Sequence, residues 1–344
     1  MQNTPDYLFH YTNIETLSLI LANRTFRLTS LNQLDDLQEK ETGDTPNFGQ
    51  FCYVSSWTDD ETESIPMWNM YSSLESGIRI KLRANPFKLY KNSPNDISKI
   101  KLLSIIDSST EAFQQSYIPL RRMLEQQFSC LHAMTPSFLH QVKYTNDQAK
   151  LYPNLILKHD NQILMMPDQL GLYKNKYWSF QKEWRYKLMC FPIGPDNSME
   201  QLNIMASLMV NGIVKQPFSY YDLKLDDDTF SHMEITLSPK ISPGYRLIVN
   251  SLIEKYNPTA QIYDSSLIGL VQFCYHSVIT NGCQDTLPAA VFLYCSLLFP
   301  TLSNISTQQK NPGNLTVPGY LTFGHMYLTV LNIYNLRCYA KIIR

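Results

Sequence analysis

The spacing of apolar residues predicts a chain of short strands with a few helices. Residues 9–12 are predicted to form a strand, and the apolar residues that follow, at 14, 17, 20 and 21, lie on one face of a helix. Alternating polar and apolar positions predict further strands at residues 25–29, 51–58, 77–82, 178–189, 211–214, 235–239 and 260–267. Helical spacing predicts helices at residues 64–71 and 245–256 and a helical insert at about 105–150. Strands and helices do not alternate regularly, so the predicted class is α+β.

The charge distribution divides the chain into two parts. Residues 269–344 hold one of the 30 acidic residues and four of the 29 Lys and Arg residues. We therefore predict a single α+β domain over residues 1–268 and a charge-poor C-terminal extension over residues 269–344. Three interpretations of the extension stay open: a poorly specified tail, an element that binds a partner or covers the core, or a membrane contact. Its longest apolar stretch, residues 287–299, is too short for a membrane span of about 20 residues.

Composition limits the classes of partner and cofactor. The net charge is −1 and no basic stripe is present, so the sequence gives no nucleic-acid signature. Seven cysteines without CxxC spacing favour a reducing compartment, and the N-terminus lacks the pattern of a signal peptide, so we expect a cytoplasmic protein. The seven histidines are scattered, so we expect no metal site.

The strand predicted around residues 180–185 carries the strongest candidate chemistry. Alternation places Gln181, Glu183 and Arg185 on one face. A carboxylate with a neighbouring amide suits the cleavage of an N-glycosidic bond, because the transition state resembles an oxocarbenium ion. The alternative is an amphipathic edge strand in which Glu183 forms a surface ion pair. The acidic loop with Asp35, Asp36 and Glu39 is interpreted as a solvated turn.

Six segments follow one another along the chain in a defined order: Leu8–Thr12, Asp35-Asp36 with Glu39, Val54–Thr58, Met67-Trp68 with Tyr71, Tyr177–Arg185 and Ile235–Lys240. Together they resemble a bacterial family catalogued as domain of unknown function 2971. The resemblance covers residues 7–268 and rests on the order and spacing of the segments rather than on any single motif. The chain has Asp35-Asp36-Leu37 where the family usually has Asn-Asp-Pro.

The layout of that family is in turn similar to the ADP-ribosyltransferase fold. That fold uses a His on its first strand, an aromatic residue or Ser in the middle, and a Glu on a late strand. The matching positions here are His10, Tyr71 or Ser55, and Glu183. The resemblance implies an α+β fold with a split, mostly antiparallel central sheet of ADP-ribosyltransferase type, interrupted by the helical insert.

The same resemblance implies NAD as the substrate and assigns roles to residues. His10 would donate a hydrogen bond to a ribose hydroxyl, and Tyr11 or Tyr71 would stack on the nicotinamide ring. Glu183 would hold the 2′-hydroxyl and stabilise the developing positive charge. Gln181 would orient the acceptor, and Arg27 or Arg185 would meet the pyrophosphate. The alternative for Arg185 is an ion pair with a nearby acid. The alternative for His10 is a structural histidine of the first strand.

Two functions follow from the resemblance. The first is an NAD-dependent ADP-ribosyltransferase or NAD-cleaving effector in bacterial toxin action or anti-phage defence. The second is a non-catalytic module of the same fold that senses a nucleotide or binds a protein partner through the extension. A shared fold does not by itself establish shared chemistry.

Overall fold

The computed structural model describes residues 4–98, 114–131, 138–159, 162–193 and 199–271. Its strands are β1 Tyr7–Asn13, β2 Thr25–Ser30, β3 Cys52–Thr58, β4 Gly77–Arg83, β5 Tyr90–Lys91, β6 Gln115–Ser116, β7 Phe128–Leu131, β8 Leu139–Gln141, β9 Lys143–Thr145, β10 Ile156–His159, β11 Gln162–Met165, β12 Tyr173–Asn175, β13 Glu183–Pro192, β14 Tyr220–Lys224, β15 Glu234–Leu237 and β16 Gln261–Asp264. Its α-helices are α1 Ile14–Asn23, α2 Ile65–Tyr71, α3 Pro94–Ser98, α4 Leu120–Glu125, α5 Gln148–Leu151, α6 Met199–Val210, α7 Asp227–Ser231 and α8 Pro243–Tyr256. Short 3-10 helices cover Leu31–Gln33, Phe48–Phe51, Pro167–Gln169 and Lys176–Gln181.

Ten of the described strands form one open sheet that is mostly antiparallel. The order along it is β14-β2-β3-β1-β4-β15-β16, and β13 lies along β3 and pairs in turn with β7 and β8. β15 and β16 run parallel, whereas the other strand pairs of this sheet are antiparallel. The predicted α+β class is therefore confirmed.

Side-chain caps fix where the first two helices begin. The Asn13 side chain accepts a hydrogen bond from the Thr16 amide at 2.8 Å, so α1 begins directly after β1. Arg24, at a φ of 53°, turns the chain out of α1 and into β2. Ser64 caps α2, with its hydroxyl accepting from the Met67 amide at 3.4 Å. β2 then pairs with β3, and β4, which follows α2, pairs with β1.

β3 and β13 are buried along nearly their whole length because apolar clusters pack against both faces. One face of β13 joins the main core through its aromatic and aliphatic side chains, Trp184, Tyr186 and Leu188. The other face carries three buried charged side chains, Glu183, Arg185 and Lys187. Buried charges on a central strand need partners, and these partners shape the site described below.

The strand predicted for residues 178–189 begins later than expected. Lys176–Gln181 is a 3-10 helix, and Lys182 has a φ of 44°, so the extended conformation starts at Glu183. The prediction that Gln181 belongs to the strand is therefore wrong. The left-handed residue breaks the alternation that the sequence pattern suggested, since such a backbone cannot continue a strand.

The prediction of a helical insert is also wrong for its described residues. The region holds the short strands β6 to β9 and the short helices α4 and α5. Pro119 precedes α4, which ends at Glu125, and Gln127, at a φ of 55°, turns the chain into β7, which pairs with β13. Pairing with a buried strand outweighs the helical spacing of the apolar residues. The strand predicted at residues 211–214 is instead the turn that follows α6.

The predicted C-terminal extension lies outside the described residues, apart from residues 269–271. None of the helices in the described part of the chain combines the length and apolarity that crossing a bilayer requires.

Leu188→Ala tests the assignment of β13 to the core. Leu188 is fully buried in the main cluster, so the truncation should lower the free energy of unfolding by about 2–5 kcal/mol. Leu247→Ala is the control, because Leu247 on α8 is 67% exposed and should change that energy by no more than about 0.5 kcal/mol. Urea unfolding measures both. Equal, small losses would mean that β13 is not a core strand.

Candidate functional site

The residues predicted for the site lie around one cavity, which we call the site cavity. Its volume is about 220 Å³, and β1, β2, β3, α2 and the start of β13 contribute to its walls. The eight predicted residues all line it: His10, Tyr11, Arg27, Ser55, Tyr71, Gln181, Glu183 and Arg185. Segments that are far apart in the sequence therefore converge. Their catalytic and binding roles stay predictions.

Four charged side chains form a buried ion-pair network at the site cavity, here called the charge network: Glu39, Lys174, Glu183 and Arg185. Each of these side chains is at most 3% exposed. Lys174 Nζ lies 3.0 Å from Glu39 Oε1 and 3.0 Å from Glu183 Oε2. Arg185 Nη2 lies 2.7 Å from Glu39 Oε2, and Arg185 Nε donates to Glu183 Oε1. Two carboxylates and two cations balance, which offsets the cost of burying each charge.

Glu183 is held in its ionised form. Burial by itself raises the pKa of its carboxyl, but the charges of Arg185 and Lys174 outweigh burial and lower the pKa from 4.5 to about 2. Both carboxylate oxygens accept hydrogen bonds from cations. A ligand hydroxyl would have to share an oxygen with Lys174 or Arg185. The carboxylate is thus charged but already paired.

A chain of hydrogen bonds connects the charge network to Tyr71. Lys174 Nζ donates to Gln181 Oε1 at 2.9 Å, and Gln181 Nε2 donates to the Tyr71 hydroxyl. That hydroxyl donates to Asp35 Oδ2 at 2.9 Å. Both ends of the Gln181 amide are engaged, so its orientation is fixed. Burial and the charge of Asp35 raise the pKa of Tyr71, and the phenol stays protonated.

His10 is a neutral imidazole packed between aromatic rings. Its ring centroid lies 5.0 Å from that of Phe26 and 5.1 Å from that of Trp57. Burial lowers the pKa of His10 to about 4, against the opposing effect of its hydrogen bond to Ser56. Because the Ser56 carbonyl can only accept, His10 Nδ1 carries the proton and donates at 2.8 Å. Nε2 is then an acceptor, so His10 would receive a hydrogen bond from a ligand hydroxyl rather than donate one as predicted.

Tyr11 and Ser55 are engaged with other residues of the protein. Tyr11 is 4% exposed, its hydroxyl accepts from the Ser64 amide at 3.1 Å, and its ring packs edge-on against Trp68. Ser55 Oγ accepts from Trp57 Nε1 at 3.0 Å. Stacking of Tyr11 on a ligand would require it to leave this packing, so the geometry favours Tyr71 for that role.

The two predicted pyrophosphate ligands are paired with carboxylates. Arg27 forms a bidentate pair with Asp222, at 2.8 Å and 3.0 Å, and lies 3.5 Å from the centroid of the Tyr220 ring. Arg185 belongs to the charge network and is fully buried. The sequence left open whether Arg185 pairs with an acid, and it pairs with two.

Sequence reasoning missed Lys174 and misinterpreted Glu39. Lys174 lies on the three-residue strand β12, which is too short to show a periodic pattern. Asp36 and Glu39 are buried whereas Asp35 is exposed, so the interpretation of the acidic loop as a solvated turn is wrong for Asp36 and Glu39. One signal for both residues was available in the sequence: the acidic loop and Glu183 belong to the same set of motifs. If the fold buries their carboxylates together, a buried cation such as Lys174 is needed to compensate them.

A scan against protein-family models gives no match, and neither the curated proteins nor the solved structures give one. The resemblances described above therefore stay predictions that rest on the residues quoted for them. Among the described residues, no group of three or more His, Cys, Asp or Glu side chains is arranged to hold a metal ion.

The protonation of His10 can be measured directly by nitrogen-detected NMR. We expect the Nδ1–H tautomer at neutral pH and a midpoint for protonation at about 4. Since that pKa lies below the unfolded value of about 6.5, protonation of His10 should cost stability as the pH falls from 6.5 towards 4. His10→Gln identifies the signal by removing it. An Nε2–H tautomer, or a midpoint near 6.5, would refute this description of the ring.

Proposed function

We propose that the chain binds NAD, or a nucleotide related to it, with the nicotinamide riboside end in the site cavity. The observation that carries the proposal is the convergence of His10, Tyr71 and Glu183 on one cavity, with Glu183 ionised. We further propose that the central sheet is of the ADP-ribosyltransferase type. The reaction class that fits it is cleavage of the N-glycosidic bond of NAD, as in an ADP-ribosyltransferase or an NAD-cleaving effector.

The size of the cavity supports binding of one end of the ligand. About 220 Å³ is below the roughly 300–1,000 Å³ of most small-molecule pockets, so a whole dinucleotide would not fit inside. A neighbouring groove of about 390 Å³ shares His10, Tyr11, Arg27, Thr29 and Tyr71 with the site cavity. The groove gives the remaining part of a dinucleotide a place to lie.

The polar groups at the cavity suit a riboside. His10 Nε2 would accept a hydrogen bond from a ribose hydroxyl, and the partly exposed ring of Tyr71 would contact the nicotinamide. Glu183 would accept from the 2′-hydroxyl through an oxygen that it shares with a cation of the charge network. Gln181 would hold Tyr71 in place through its amide.

The proposed reaction breaks the bond between C1′ of the ribose and the nicotinamide nitrogen. Nicotinamide leaves as a neutral ring with the bonding electron pair, and an acceptor oxygen or nitrogen, or water, forms the new bond to C1′ and loses a proton. The Glu183 carboxylate would stabilise the positive charge that develops on the ribose between these events. In the absence of an acceptor the product is ADP-ribose.

The pairing of Glu183 favours a second candidate, a non-catalytic nucleotide-sensing or protein-interaction module. Both oxygens of the carboxylate are bound to cations, and the charge network is balanced without a ligand. An electrostatic stabiliser acts most strongly when its charge is directed at the reacting atoms. In this candidate the chain binds the nucleotide without cleaving it, and residues 269–344 provide the contact with a protein partner.

Release of nicotinamide from NAD, followed together with calorimetric binding, tests the proposal. Glu183→Gln should lower turnover by about 10²–10³ while leaving NAD affinity nearly unchanged. Glu254→Gln is the matched control, because Glu254 lies exposed on α8 and should change neither quantity. Thr29→Trp, which fills the site cavity, should weaken binding. Thermal unfolding verifies that each variant is folded.

The outcomes separate the two candidates. Binding of NAD without release of nicotinamide by the unaltered chain would support the non-catalytic module. No binding of NAD, ADP-ribose or ATP at millimolar concentration would refute the enzyme and the nucleotide-sensing module, and would favour the protein-interaction module.

A further inference from the structure

Two buried cysteines stand directly opposite each other in the sheet. Cys130 on β7 and Cys190 on β13 are register partners of an antiparallel strand pair. Their sulfur atoms lie 2.6 Å apart, and both residues are fully buried in the main core. Cys52, the third cysteine of the described residues, stands opposite Met189 instead. Among the three cysteines of the described residues, only Cys130 and Cys190 are therefore opposite each other in the sheet.

The backbone geometry of this position suits a disulfide. Residues directly opposite each other in antiparallel strands have Cα atoms about 4.5 or 5.5 Å apart, depending on the hydrogen-bonding pattern. Disulfides span Cα separations of about 4.4–6.8 Å, so either pattern is compatible. The sulfur atoms need to approach by only a small rotation of the side chains to reach the bond length of about 2.0 Å.

We propose that Cys130 and Cys190 are a redox modification site, in which a peroxide links them as a cross-strand disulfide. The peroxide oxidises one thiol to a sulfenic acid and is itself reduced to water. The sulfur of the second thiol then attacks the sulfenic sulfur, and its proton leaves with the hydroxyl group as a second water. The two thiols together lose two protons and two electrons, and a dithiol reductant reverses the change.

Opening of β7 governs access to the two thiols. β7 is four residues long and, among the described strands, pairs with β13 alone, so it can separate at the edge of the sheet. Burial raises the pKa of the Cys190 thiol well above its ordinary value, which keeps the reactive thiolate scarce while the strand is closed. Oxidation should therefore be slow and should proceed through the opened strand.

The modification would strengthen the strand that carries Glu183. Cys190 lies near the end of β13, seven residues after Glu183 at its beginning, and the link would close the long stretch of chain between β7 and β13. Cross-links of this kind stabilise a folded chain, in the simplest model by restricting the unfolded one. The oxidised protein should unfold at a higher temperature than the reduced protein, by several degrees.

Peptide mapping of the full chain tests the proposal. The protein is incubated with excess hydrogen peroxide in native buffer, alkylated in denaturant, and digested with trypsin without reduction. Trypsin places Cys130 in the peptide 123–143, Cys190 in 188–215 and Cys52 in 41–79. We expect peptides 123–143 and 188–215 to be recovered as one linked species that dithiothreitol separates. The Cys52→Ala variant should still form it.

Recovery of both peptides as alkylated thiols, or as sulfinic and sulfonic acids without a linked species, would overturn the proposal. Linkage of either peptide mainly to Cys52 or to a cysteine of residues 269–344 would overturn it as well. Cys130→Ala and Cys190→Ala should lose both the linked species and the rise in Tm. Because the linked peptide is sought in the unaltered chain, the result stands even if these variants do not fold.

Discussion

The pairing of buried charges around Glu183 is the interaction on which this structure depends. β13 is a central strand whose two faces are both buried, yet three consecutive side chains of one face are charged. Each buried ion costs several kcal/mol unless it is compensated. The charge network provides that compensation for Glu183 and Arg185 by joining the loop that carries Glu39, strand β12 that carries Lys174, and β13. Lys187 donates instead to the backbone carbonyls of Asp168 and Leu170. The acidic loop, β12 and β13 all contribute residues to the walls of the site cavity, so the interaction that stabilises the strand also sets the geometry of the site.

The same pairing determines which chemistry the cavity can supply. Glu183 remains ionised because two cations hold it so, but those cations also occupy its oxygens. His10 contributes an acceptor rather than a donor, and Arg27 is committed to Asp222. A ligand with hydroxyl donors and a flat ring fits these groups better than a pyrophosphate does. The proposal therefore places a riboside in the cavity and the phosphates outside it.

Sequence patterns were sufficient to predict the elements whose conformation is decided by residues close to them in the sequence. The strand predicted at residues 9–12 and the helix predicted from the spacing of the apolar residues at 14, 17, 20 and 21 correspond to β1 and α1. Non-local interactions defeated the same reasoning elsewhere. Phe128 and Leu131 have helical spacing but belong to a strand, because pairing with β13 decides their conformation. Gln181 reaches the cavity from a 3-10 helix, and no pattern marks the left-handed residue that follows it. Lys174 was not predictable, since a three-residue strand has no period and its partners lie on other elements.

The most direct test of this account is the stability of Lys174→Met compared with Lys182→Met. Lys174 is buried between two carboxylates, whereas Lys182 forms an exposed pair with Asp60, in which its own side chain is 59% exposed. Removing the buried cation leaves uncompensated charge in the interior and should lower the free energy of unfolding by about 3–5 kcal/mol. Removing the exposed cation should cost far less, because solvent screens its pair with Asp60. Urea unfolding at neutral pH measures both. Equal and small losses would contradict the claim that the charge network holds this part of the fold together.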